Sequence, residues 1–277
     1  MFSDSDILNQ QEVESEKLQA LCPVSGCALA TDIIIKSSDG KLFGAHSENL
    51  AGYSGGFPPT SFASSDAIRD PVELPERSLV IEYMLNYMHN HRLAMLKGLS
   101  SEDVNDIAYA AEKYFIYSLM EVCRLYMYRL LRDDPMMVLA YAAKHSHDDL
   151  FDEAVPMTLR RSLEEIYVYL GASVYFVAWV RYRERFLRVR DAFRRDPPVV
   201  KHKGGLNECA LWSEFVAQLL RMEISEISEW ETVMRNLANA ILEDCSWCSR
   251  RAEDWVARIY GIALLADIRF VKASSLK

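Results

Sequence analysis

Two periodicities divide the chain. From Asp32 to Leu50 the sequence reads "DIIIKSSDGKLFGAHSENL". Three β-branched residues, Ile33, Ile34 and Ile35, are followed by a polar break with Asp39-Gly40, and Leu42, Phe43 and Ala45 return. β-branched residues suit a pleated strand and Asp-Gly a tight turn, so a hairpin is predicted over 32–45. A stretch rich in Gly, Pro and Ser runs from 52 to 75, broken by "PVEL", where a third strand is predicted at Val72–Leu74. From there the apolar spacing becomes helical.

Val80, Tyr83, Met84, Tyr87 and Met88 fall on one helix face. Ser100 with Asp103, and Ser162 with Glu165, have the spacing of capping boxes, and Asp134-Pro135 reads as an N-cap followed by Pro at the first helical position. A helix over Tyr117–Leu131 is expected to turn Leu119, Val122, Cys123, Tyr126 and Leu130 inward. Tyr175, Trp179, Tyr182, Phe186, Val189 and Phe193 step by four and three, a heptad seam made mostly of aromatic rings. Three more helices are expected, centred on Phe215, on Met234 and on Trp255.

The chain has 277 residues, half of them hydrophobic, enough for one large domain or two ordinary ones. Its net charge of −9 disfavours non-specific nucleic-acid binding by the whole protein. Residues 171–205 run the other way, with 9 Lys and Arg against 3 Asp and Glu. Arginines beside a ring-lined seam could be read as a nucleic-acid surface. A seam needs its rings inside a bundle, however, so nucleic acid is not expected as a partner. The uncharged run from Ile166 to Val180 is too short to span a bilayer and is expected to be two buried helix ends meeting at Gly171. The acidic start "MFSDSDILNQ" has no apolar signal region. With 6 cysteines this favours reduced thiols or a metal site over a disulfide scaffold, and hence an intracellular protein of cytoplasm or nucleus.

The segments "DIIIKSSDGKLFGAH", "LAGYSGGF", "PVELPERSLVIEYMLNYMH" and "DVNDIAYAAEKYFIYSLMEVCRLYM" follow one another in an order that resembles the BTB/POZ domain. The later pieces "AAKHSHDDLFDEAVPMTL", "HKGG" and "CxxCxxRAxxW" are similar to the BTB proteins abundant in mushroom-forming fungi. The resemblance implies an α+β BTB/POZ domain followed by an all-α C-terminal region. The domains expected are a mobile arm over 1–30, the BTB/POZ domain over 31–131, a short helical extension packed on it over 132–170, and a helical domain over 171–277. It also implies a protein–protein interaction module, with self-association, adaptor work, or both. Asp32 and His46 are then structural residues. Some family members recruit a cullin ubiquitin-ligase scaffold through a hydrophobic-x-Glu motif. Here Phe57 is followed by Pro58-Pro59 with no Glu, which weakens that reading.

One constellation could carry chemistry. Cys245 and Cys248 in "CSWCSRRAEDW" have metal-knuckle spacing, and His202 and Cys209 in "HKGGLNEC" could complete a Cys3His set for a structural zinc. The competing reading is two helix cysteines packed as small apolar groups. Cys22 and Cys27 are alternative partners for the same pair. His46, isolated on an apolar hairpin, is expected to be a hydrogen-bonded core residue. "HSHDD" is expected to be a solvated turn. No Ser/His/Asp order, GxSxG motif or phosphate-cradling Gly loop is present, so an enzyme is not expected. The competing function is a zinc-stabilised or nucleic-acid-associated regulator acting through the C-terminal helices.

Overall fold

The computed structural model describes residues 20–57, 71–195, 209–221, 230–265 and 272–277. The chain divides into two compact units, Met1–Met127 and Tyr128–Lys277. Residues 1–19 of the expected arm, the Pro58-Pro59 pair and the His202 segment lie outside the described residues.

In the first unit, β1 (Ile33–Lys36) and β2 (Leu42–Ala45) form the predicted antiparallel hairpin, with Ile33 opposite Ala45 and Ile35 opposite Phe43. Gly40 supplies the positive φ of 84° that the turn needs. β3 (Val72–Glu73) pairs in parallel with β1, giving the order β2-β1-β3. Ile34, Ile35, Phe43 and Ala45 are all buried, so both faces of this small sheet are covered. Helix α1 (Ser47–Tyr53) follows β2 directly. The Asp32 carboxylate accepts the Ser47 N–H at 2.8 Å and the Ser47 hydroxyl, tying the start of β1 to the first turn of α1.

Helices α2 (Ser78–Tyr87), α3 (Ser101–Tyr114) and α4 (Tyr117–Leu130) follow. Val80, Met84, Tyr87 and Met88 are buried as the spacing predicts. Ser100 accepts the Asp103 N–H at 3.1 Å, and its hydroxyl donates to the Asp103 carboxylate at 2.7 Å. On α4 the inward face is Leu119, Cys123 and Met127, a step of four, while Leu130 is only half-buried. Residues 20–30, expected within a mobile arm, are held against the sheet. The Gly44 N–H donates to the Leu21 carbonyl at 3.0 Å, and Val24 is buried.

In the second unit, α5 (Pro135–His145) and α6 (Asp148–Thr158) form a helical hairpin, followed by α7 (Leu163–Leu170) and the long α8 (Val174–Arg195). The helices over 135–170 share this unit with α8 and a 3₁₀ turn at Ala273–Leu276. The Asp134 side chain accepts the Met137 N–H, with Pro135 at the first helical position. Ser162 and Glu165 complete the reciprocal capping box. Trp179 is fully buried, and its Nε1–H donates to the Thr158 hydroxyl at 2.9 Å. Tyr175 and Phe186 are buried on the same seam, whereas Tyr182 is half-buried. The side chains of Val189 and Phe193 lie outside the described residues. Helices α9 (Ala210–Leu220), α10 (Trp230–Leu242) and α11 (Ser246–Leu265) share a core in which the Trp212, Phe215 and Trp255 rings meet at 5.5 to 6.2 Å.

The apolar run from Ile166 to Val180 departs from expectation. It does turn at Gly171 between two helices, but Tyr167, Val168, Tyr169, Val174 and Val177 are exposed. Ile166, Leu170, Tyr175, Ala178 and Trp179 take the buried side. The run is apolar all round, and only one face of each helix finds the core.

Candidate metal centres

Among the described residues, two groups of side chains converge closely enough to hold a metal ion. They are Cys209, Cys245 and Cys248 in the second unit, and Cys22, Cys27, His46 and His89 in the first.

The first group contains three of the four residues expected from the sequence. Cys209 stands at the N-cap of α9. Cys245 immediately precedes α11, its carbonyl accepting the Ser249 N–H, and Cys248 lies fully buried in the first turn. The three sulfurs lie within 4.8 Å of one another. Two helix N-termini, the positive ends of the helix dipoles, thus point at three thiols. Burial opposes ionisation of Cys209. The Trp212 N–H, the Cys248 thiol, the Leu211 N–H and the Cys245 thiol outweigh it and hold Cys209 below the ordinary thiol value. Burial, then the Cys245 and Cys209 sulfurs, push Cys248 up. The balance therefore favours a thiolate at Cys209 over one at Cys248. A divalent cation would reverse that balance and draw all three into the thiolate form. His202 falls outside the described residues.

The second group is built by the hairpin. Residues 22–27, "CPVSGC", make a short loop in which the Cys27 N–H donates to the Val24 carbonyl at 3.1 Å and Gly26 takes φ 74°. Gly44 allows the preceding residues to reach β2, because a Cβ there would sit 2.5 Å from the Ala20 carbonyl oxygen. The loop is thereby carried over His46, at the end of β2, and His89, just past α2. Both histidines are buried. The His46 Nδ1 donates to the Ala30 carbonyl at 2.9 Å, and the His89 Nδ1 donates to the Leu85 carbonyl at 2.7 Å. A carbonyl can only accept, so each Nδ1 carries a proton, and in the neutral tautomer this selects each ring presents its lone pair at Nε2.

Both Nε2 atoms face the thiols. Cys27 Sγ lies 3.2 Å from His46 Nε2 and 3.6 Å from His89 Nε2, and Cys22 Sγ lies 3.4 Å from His89 Nε2. The two rings meet edge to face at 5.2 Å. Burial, and then the neighbouring His46 and His91 rings, hold His89 below the ordinary imidazole value, against the Leu85 carbonyl. Burial and the adjacent Cys27 sulfur raise Cys22, against the Val24 backbone. A cleft of about 440 Å³, lined in part by Leu21, Cys22, Pro23 and Phe43, opens beside the loop.

His46 is therefore the buried, hydrogen-bonded histidine the family resemblance implies, but only one of its nitrogens is used in that role. Cys22 and Cys27 join His46 and His89, a different set from the Cys245 and Cys248 partnership considered from sequence. His89, within "YMHNH", carried no sequence signal on its own. The signal that was present is the C-x₄-C loop with its Pro and Gly. "HSHDD" forms the junction of α5 and α6, with Ser146 at φ 61° and the His145 and His147 rings against Tyr141 at 5.0 and 5.3 Å.

Residues 26–130 match the family model of the BTB/POZ domain. The chain therefore carries a BTB/POZ domain, with its small sheet and helices, and the described residues after it are helical. The match begins at Gly26, so Cys22 lies ahead of it while Cys27, His46 and His89 lie within it. A search of the curated proteins found no match. BTB/POZ domains are protein–protein interaction modules, and no helix among the described residues is long and apolar enough to cross a membrane.

Proposed function

We propose that the protein is a non-enzymatic adaptor that self-associates through its BTB/POZ domain and offers its helical unit to other proteins. The observation that carries this reading is the interaction domain over residues 26–130, with an exposed aromatic pair on its surface. Phe115 and Tyr117 are 48% and 64% exposed beside Gly55, whose N–H donates to the Phe115 carbonyl at 3.2 Å. Phe115 is held at φ 50°, a left-handed conformation that costs a bulky residue energy and so points to a position kept for its surface. The exposed apolar side chains of α7 and α8 give the second unit a face of the same kind. Reduced cysteines suit an intracellular setting, cytoplasm or nucleus. The sequence pieces shared with the BTB proteins of mushroom-forming fungi support membership of that group. Cullin recruitment is disfavoured, because Phe57 stacks on Tyr114 at 4.7 Å and the next residues are prolines with no Glu.

A native mass spectrum of the full chain at micromolar concentration tests self-association. The expected mass is twice 31.7 kDa. A monomer at that concentration overturns self-association and leaves a monomeric adaptor.

A second reading, a zinc-stabilised C-terminal half, is favoured by the convergence of Cys209, Cys245 and Cys248, His202 being the fourth ligand proposed from the sequence alone. Replacing both cysteines, Cys245→Ser with Cys248→Ser, is expected to release about one zinc per chain and lower the melting temperature. Unchanged metal content and stability would sink it.

A further inference from the structure

We propose that Cys22, Cys27, His46 and His89 form a closed tetrahedral zinc site that clamps the segment before β1 onto the hairpin and the end of α2. Three independent features converge on it.

The first is spacing. Zinc binds thiolate sulfur at about 2.3 Å and imidazole nitrogen at about 2.0–2.1 Å, so tetrahedral geometry sets neighbouring S and N ligands about 3.5 Å apart. Three of the four S···N separations are 3.2, 3.4 and 3.6 Å, and all four ligand atoms lie within 4.8 Å of one another. The second is orientation. Histidines that bind zinc use one nitrogen for the metal and donate from the other to a fixed acceptor, which sets the tautomer. Here both rings are fixed in this way by backbone carbonyls, Ala30 for His46 and Leu85 for His89, and both free nitrogens turn to the thiols. The third is donor chemistry. Two thiolates and two neutral imidazoles suit a borderline-soft, tetrahedral divalent cation and leave no open position for water, as in structural sites.

Binding balances simply. Each cysteine loses its thiol proton to solvent as its S–Zn bond forms, and each histidine donates an existing lone pair. Two thiolates and Zn²⁺ then sum to a neutral buried centre, which avoids the cost of a buried net charge. The competing arrangement is a pair of S–H···N hydrogen bonds, which needs no metal.

The test is zinc content of the full chain, purified under reducing conditions, followed by replacement with cobalt(II), whose visible bands distinguish tetrahedral from octahedral coordination. The variant Cys22→Ser with Cys27→Ser is expected to carry about one zinc per chain fewer than the parent. The variant Cys245→Ser with Cys248→Ser keeps all four proposed ligands. It is expected to show tetrahedral cobalt bands with thiolate charge transfer. Cys27→His exchanges one ligand type for another and is expected to keep the metal with weaker charge transfer. Zinc content unchanged by Cys22→Ser with Cys27→Ser overturns the site, as does a Cys22–Cys27 disulfide in the reduced preparation. If that variant does not fold, the Cys245→Ser with Cys248→Ser protein decides alone: without tetrahedral cobalt in it, the site is refuted. Oligomeric mass, read separately, leaves this outcome unaffected.

Discussion

Asp39 serves the turn between β1 and β2 and, 39 residues on, the start of α2. Its carboxylate accepts the Ser78 N–H at 2.9 Å and the Ser78 hydroxyl at 2.6 Å. The Ser37 and Ser78 hydroxyls hold its pKa at about 2, below the ordinary 3.8. A carboxyl whose folded value is depressed adds stability that is complete above its unfolded value and is lost as pH falls through the folded one. The window here runs from about pH 4 down to about pH 2. Asp39→Asn is expected to lower the urea midpoint at neutral pH and to converge with the parent near pH 2. Parallel midpoint profiles across that range would refute the assignment. Asp39-Gly40 was legible as a turn, because turn chemistry is local. Its capping partner was not, because nothing in the sequence joins residue 39 to residue 78. The same limit hid His89. The C-x₄-C loop announces itself, but a histidine 62 residues further on is brought to it only by the packing of α2 against the sheet.

Local helix grammar was the most legible level. The Ser162/Glu165 box, the Asp134-Pro135 start and the Ser100 cap all stand where their spacing puts them, because each involves residues within one turn. Burial along a helix was less so. On α4 the buried residue of the last turn is Met127 where Leu130 was expected, because positions three apart share one helix face and apolar spacing alone does not choose between them. The Ile166–Val180 run shows the same ambiguity more strongly, since hydrophobicity on every face does not say which face meets the core. Its break at Gly171 is a firm constraint. Gly171 ends α7 at φ 57° and ψ −158°, with open space around its Cα. Gly171→Ala therefore meets backbone strain and no clash, and is expected to cost about 1–3 kcal/mol, read as a lower urea midpoint with unchanged m-value. A neutral substitution would mean that the α7–α8 junction can adopt another turn.

At the scale of the molecule, the fold class was legible in the sequence. An α+β domain precedes a helical region, and the helices over 135–170 belong with the latter. The family match ends at residue 130, and the pieces of resemblance beyond it are short and far apart, so they mark no boundary. The uneven charge is also a whole-molecule property. The arginines of α8 flank a seam on which Tyr175, Trp179 and Phe186 are buried and Tyr182 is half-buried, and Arg181 donates to the Leu276 carbonyl at 2.6 Å. With the chain at −9 overall, no oligonucleotide affinity with a steep salt dependence is expected. A titration of fluorescent DNA and RNA at low and moderate salt checks this. Tight binding that weakens steeply with salt and is lost on replacing Arg183, Arg185 and Arg188 would move function to the C-terminal half.

The cysteine–histidine cluster of the first unit draws on residues 22, 27, 46 and 89. All four have been synthesised before any residue of the second unit exists. A growing chain can therefore close this ring of side chains while the later helices are still unmade. The same link would reopen if its two sulfurs were oxidised to each other. Assembly order and redox exposure would then act on one fastening, ahead of the second unit.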